Sequence, residues 1–218
     1  MLLNELQQLL ARLYRLEVDT DIYDFLVTDQ VVLDAVIDPD APRAEEMLLI
    51  HEDGDTASLD VSLYLDARML DRLALADPAA HLHAEDLGDF CTVLEGVSHF
   101  MYLVWNAVQH RSITQLELEV QAEIDKYVSA RVLLEAQAQS RQSLVDDLFD
   151  SVTYRDDLPP ERMTRYQEAN QLAARYCHNL EQRFPATELA APMLDELRDV
   201  YRMPQPAKLS HLQTAQYA

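Results

Sequence analysis

Leucines at positions 2, 6, 9, 13 and 16 recur at spacings of four and three, which sets them along one side of a helix, and Leu3 and Leu10 widen that stripe. The pattern predicts a core-facing helix. Two heptads are short for a self-pairing coil, and a homo-oligomer joined through this seam is the competing use of the same stripe. Residues 19–40 are less regular. DFLVTD and VVLDAVID fit short strands or a helix, and their β-branched content predicts at least one strand.

Alternation is clearest over 46–65. Apolar runs at Met47–Ile50 and Leu59–Leu65 flank Asp53-Gly54-Asp55, and Asp-Gly tolerates the positive φ of a hairpin turn. Leu59, Val61, Leu63 and Leu65 alternate with Asp60, Ser62 and Tyr64, so one face meets a core and the other water. A two-stranded antiparallel sheet needs a third strand or a covering helix. The acidic segment and the leucine helix are the nearest suppliers.

Every later period is helical. Asp66 can cap ARMLDRLAL, which Pro78 ends; a long helix over about 84–110 carries Phe90, Val93, Leu94, Val97, Met101, Val104, Trp105 and Val108. Ser112 or Thr114 caps the next, with Ile113, Leu116, Val120, Ile124, Tyr127 and Leu134 as its stripe. Pro160 opens a helix through Met163, Tyr166, Ala173, Cys177, Leu180 and Phe184, and a last one runs from Pro192 to about Arg202. The fold class expected is α+β: an acidic unit over 1–80 holding a small antiparallel sheet and a covering helix, a bundle of four or more helices over 81–202, and a proline-punctuated tail over 203–218.

Composition removes several functions. The three glycines, Gly54, Gly88 and Gly96, rule out glycine-rich phosphate cradles. Cys91 and Cys177 stand too far apart for a metal knuckle and read as free thiols in helices. The N-terminus lacks a basic leading region, and the longest apolar stretch, Val97–Val108, falls short of a membrane span, so no membrane insertion and a cytoplasmic location are expected.

Charge adds the sharpest signal. Between Asp19 and Asp60 stand thirteen carboxylates and one basic residue, Arg43, which is more than half of the net charge of -22. A one-signed field attracts cationic partners and repels polyanions. Fifteen arginines against two lysines, Lys126 and Lys208, also fit a solvent adaptation, although such acidity should spread more evenly. The leading expectation is therefore a non-enzymatic interaction protein (adaptor, inhibitor or immunity partner, secretion chaperone or nucleic-acid mimic) that binds a basic protein surface. Its partner-binding residues are Asp19, Asp21, Asp24, Asp29, Asp34, Asp38, Asp40, Glu52, Asp53 and Asp55. Direct nucleic-acid binding is disfavoured, because twelve basic residues in 111–218 are interleaved with seventeen acids.

Two alternatives stand beside it. One is a helical metal-dependent enzyme: Glu95 and His99 lie four apart on one helix, Glu119 and Glu123 four apart on the next, and antiparallel packing would gather them. The pattern departs from the Glu-x-x-His of di-iron bundles and has no second histidine in register, so the expectation is no cofactor and no bound metal. The other is a structural subunit of a larger assembly. Lys126 reads as a local ion pair with Glu123, and Asn170 as a polar residue that fixes helix register. No H-E-x-x-H, EF-hand or nucleophile signature occurs.

Overall fold

The computed structural model describes residues 3–38, 44–53, 58–139, 144–150, 152–185 and 190–214. The chain is α+β, with a small sheet near the N-terminus and a helix bundle. The leucine stripe forms α1 (Leu3–Tyr14), whose Leu3, Leu6, Leu9, Leu10 and Leu13 are all buried inside the chain, so the seam faces its own core. Asp21 then starts a 3-10 turn, Ile22–Phe25, by accepting from the Tyr23 amide, and the chain passes through β1 (Leu26–Val27) into α2 (Gln30–Val36), capped by Asp29. The irregular acidic segment thus holds one short strand and one short helix.

The predicted hairpin is β2 (Glu46–Asp53) and β3 (Ser58–Leu65), antiparallel in a register from Glu46↔Leu65 to Asp53↔Ser58. The turn expected at Gly54 lies outside the described residues. Leu63 and Leu65 are fully buried, as the alternation requires, but Tyr64, expected to face water, is buried too, because its hydroxyl donates to Gln30 Oε1 of α2 at 2.7 Å. The sheet differs from the expectation in one respect: β1 joins β3 in parallel, giving the order β1-β3-β2 and a mixed sheet. The reason is connectivity: after α2 the chain enters β2 in the sense opposite to β1, and the hairpin reverses it again, so β3 comes back in the sense of β1.

Helix α3 (Ala67–Ala76) is capped by Asp66, whose carboxylate accepts from the Arg68 and Met69 amides at 2.8 and 3.1 Å. It leads to α4 (Leu87–Val108), α5 (Gln115–Ala136), α6 (Leu144–Phe149), α7 (Pro160–Arg183), α8 (Ala191–Arg202) and α9 (Gln205–Thr214). Thr114 opens α5 with a reciprocal capping box to Glu117. The segment expected as a tail therefore holds a helix, and Pro206 sits in its first turn, where no amide bond is lost.

The helix laid on the sheet is α4, which contacts both β2 and β3, while α1 packs on α4, α5 and α8. Sequence adjacency pointed to α1 as the cover; the long apolar surface of α4 takes that place. Helix α5 is the centre of the bundle, packed on α4, α6 and α7, and α7 carries α9. Asn170 holds its neighbour in place, donating to the Phe149 carbonyl at 3.2 Å. One continuous core links Leu3 to Leu212. Among the described residues no helix is long and apolar enough to cross a membrane.

Candidate functional site

Helices α4 and α5 run antiparallel, because contacts that rise along one fall along the other: Glu95 meets Lys126, Ser98 meets Asp125 and His99 meets Glu119. This brings together all four residues picked out by spacing. Lys126 Nζ lies 3.1 Å from Glu95 Oε2 and 2.7 Å from Glu123 Oε1, so the local pair expected for it is real and is joined by a second, cross-helix partner. His99 Nε2 lies 3.4 Å from Glu119 Oε2, and Arg165 of α7 approaches Glu119 Oε1 at 3.4 Å.

Glu46 completes the cluster and carries no signal of its own. It is the first residue of β2, and its Oε1 lies 3.4 Å from His99 Nδ1. What seats it is Gly96. A Cβ there would stand 2.9 Å from Glu46 Cγ and 3.0 and 3.1 Å from the methyls of Leu63 and Leu65, so only glycine lets the hairpin come this close to α4.

Above the cluster opens a cavity of about 540 Å³. Glu46, Glu95, Glu119, Glu123 and Lys126 form its acidic side, and Tyr154, Arg155, Arg162 and Tyr166 its other wall. Arg155 is engaged by Asp157 at 2.6 Å, whereas Arg162 has no ion pair among the described residues.

Burial alone would strip His99 of its proton, but the flanking Glu119 and Glu46 outweigh it and hold its pKa well above the ordinary value. Burial raises Glu46, with His99 opposing, and raises Glu123, with Lys126 opposing. Glu95 goes the other way: Lys126 and His99 overcome its burial and depress it. Burial likewise disfavours the charge of Lys126, yet Glu123 and Glu95 raise its pKa well above that of a free lysine. The result is a half-buried set, with His99 at its buried centre, in which protons and charges are held by mutual contact.

A second buried cluster lies on the opposite face of α5. Asp125 accepts from Tyr14 Oη of α1, from Ser98 Oγ at 2.6 Å and from Gln121 Nε2 at 2.8 Å. The Gln121 carbonyl in turn accepts from Lys208 Nζ of α9 at 2.5 Å, and that ammonium lies 4.3 Å from the centre of the Tyr102 ring. Lys208 is fully buried. Burial raises the Asp125 pKa to about 6, against its three donors, and lowers that of Lys208 to about 7, against Asp125 and Glu117. Nothing in the sequence placed Lys208 near α5, and the one available hint was the scarcity of lysine.

The carboxylates expected to bind a partner are spread along the surface. Asp19, Asp21, Asp24, Asp29, Asp34 and Asp38 are exposed. Asp21 and Asp29 cap short helices, and Asp34 accepts from Gln30 Nε2 at 2.7 Å, so part of this charge has local structural work. Asp40 and Asp55 lie outside the described residues, and of Glu52 and Asp53 only the backbone, in β2, is described. A further close set, Asp146, Asp150 and His178, has its carboxylates exposed.

No family model, curated protein or solved structure matches this chain.

Proposed function

We propose that the chain is a small-molecule enzyme whose reaction centre is the Glu46–Glu95–His99–Glu119–Glu123–Lys126 cluster at the floor of the cavity. One observation carries this reading: three separate segments converge to hold four carboxylates, an imidazole and an ammonium in half-buried contact beside an open cavity. Desolvating that many charges costs several kcal/mol, and folding alone is served as well or better by apolar residues. Strongly shifted titratable groups gathered in a cleft mark sites of chemistry. In this reading Glu123 is a carboxylate whose raised pKa suits it to accept a proton, and Lys126 orients Glu95 and Glu123. Arg162 on the opposite wall, without an ion pair among the described residues, suits a substrate bearing a carboxylate or phosphate.

A thermal-shift screen of small carboxylic and phosphorylated compounds tests this. A compound present at ten times its Kd stabilises by about 1.4 kcal/mol, a rise of roughly 3–5 °C for a chain of this size. The shift is expected to vanish in Arg162→Gln and in Glu123→Gln. Shifts that persist in both variants would move the binding elsewhere and end the reading.

A second reading, docking of a basic protein on the acidic N-terminal face, is favoured by α2. This helix shows Val31, Val32 and Val36 to solvent at 75, 48 and 64% exposure, beside the exposed Asp29 and Asp34. An apolar centre with a charged rim is how interfaces are built. Changing Asp19, Asp21, Asp24, Asp29, Asp34 and Asp38 to Asn keeps the caps, since Asn caps as well as Asp, while it removes the field. For a partner captured from the native cell, the association rate at low salt is expected to fall about tenfold. Equal loss from a matched set of neutralisations in 146–199 would show the asymmetry to be solvation only.

A further inference from the structure

Glu46, Glu95 and His99 each offer a ligand atom, and those atoms lie within 4.8 Å of one another, close enough to converge on one ion after small side-chain adjustments. An acidic cluster of this kind is common without a ligand. The independent observation is His99: it is 7% exposed, and its Nε2 makes no hydrogen bond, although it points among the carboxylates, 3.4 Å from Glu119 Oε2. A buried imidazole nitrogen left without a hydrogen bond is rare unless something absent from the protein completes it. Charge argues the same way. The four carboxylates outnumber Lys126, Arg165 and the protonated His99 by one, and a divalent cation that takes the place of the imidazole proton cancels the remainder.

From this geometry we infer that Glu46, Glu95 and His99, with Glu119 beside them, bind a divalent transition cation at the cavity floor. The ligand set names the class: one imidazole nitrogen among carboxylate oxygens suits Mn²⁺, Fe²⁺ or Zn²⁺, whereas Mg²⁺ and Ca²⁺ take oxygen alone. Glu46 and Glu95 both line the cavity, so the ion has an entry path and one side open to a substrate. Lys126, held to Glu95 Oε2 at 3.1 Å, is the outer contact that orients this carboxylate, as groups hydrogen-bonded to the ligands do in metal sites. The inference reverses the expectation of no metal drawn from spacing, and the reason is Glu46, which spacing could not reveal. It rests on the proposal that the cavity is a reaction centre.

The test uses the full chain stripped with chelator and titrated with MnCl₂ by calorimetry. One ion per chain is expected, with affinity lowered about tenfold or more in Glu95→Gln and in His99→Gln, and unchanged in Asp150→Asn, which probes the exposed set. Because a ligand variant can misfold, the native protein loaded with Mn²⁺ supplies a second measurement: its pulsed electron paramagnetic resonance spectrum is expected to show nitrogen modulation from a single imidazole. Absence of stoichiometric binding, binding that Asp150→Asn removes, or a spectrum without nitrogen modulation overturns the cation site. The compound screen on Arg162→Gln, run without metal, stands or falls separately, so failure of the ion and failure of the cavity are told apart.

Discussion

Asp125→Ala is expected to destabilise the protein by about 3–5 kcal/mol, the range for removing one partner of a buried charged network. Asp125 receives Tyr14 Oη, Ser98 Oγ and Gln121 Nε2, so a single carboxylate ties α1 and α4 to α5. Truncation leaves three buried donors short of an acceptor and removes the carboxylate that most favours the charge of Lys208, whose ammonium donates to Gln121 Oε1 at 2.5 Å and to Tyr102 Oη at 3.1 Å. Urea unfolding of Asp125→Ala, Lys208→Met and the double variant separates the causes. If the stranded ammonium is the main penalty, the double variant recovers at least half of the loss, because methionine fills the same space without a charge. A loss below about 1 kcal/mol for Asp125→Ala would mean that water or relaxation satisfies the network and that it contributes little to the fold.

Helices α5 and α7 were legible because each announces itself twice, by an apolar period and by an end signal, Thr114 for α5 and Pro160 for α7, and α4 through the length of its apolar period alone. The hairpin was legible through alternation. What escaped was anything decided by tertiary closure. Two residues, Leu26 and Val27, are too few to declare a strand or its direction, and their parallel pairing depends on where α2 returns the chain. Helix α9 was hidden by Pro204 and Pro206, which mark its start and do not break it.

The candidate site divides along the same line. Glu95, His99, Glu119 and Glu123 were found because i,i+4 spacing is a local property, and antiparallel packing of consecutive helices is the default for a short connection. Glu46 is separated from His99 by 53 positions, and its place depends on the register of β2 and on the missing Cβ of Gly96. No periodicity encodes that meeting. The acidic segment shows the converse: a strong compositional signal whose carboxylates at Asp21 and Asp29 turn out to be helix caps, a role that needs only short-range geometry.

The buried Lys208 is expected to make stability rise with pH across the alkaline range, opposite to the usual behaviour of a paired lysine. Its pKa in the folded chain is about 7, against 10.5 for a free lysine, because burial penalises the charge more than Asp125 and Glu117 favour it. Between those values the unfolded chain holds a proton that the folded chain lacks, so raising the pH relieves a penalty that is full below pH 7. His99, whose pKa is raised, works against this trend in native protein, since its contribution is lost as pH climbs. Comparison with Lys208→Met cancels that background. Native protein should gain on Lys208→Met by about 1.4 kcal/mol per pH unit between roughly pH 7.5 and 9.5. Asp125 supplies the mirror image. With its folded pKa at about 6, above the ordinary 3.8, the penalty for ionising it grows over that interval and is complete above it. Denaturant midpoints measured from pH 4 to 10 on native protein and on Asp125→Asn with Lys208→Met should therefore show the widest gap in favour of the double variant near pH 6–7, narrowing on both sides. A gap that shrinks toward pH 6–7 and widens at pH 10 would mean that Asp125 and Lys208 stay ionised together as a stabilising pair, and the neutral-core account of this network would be wrong.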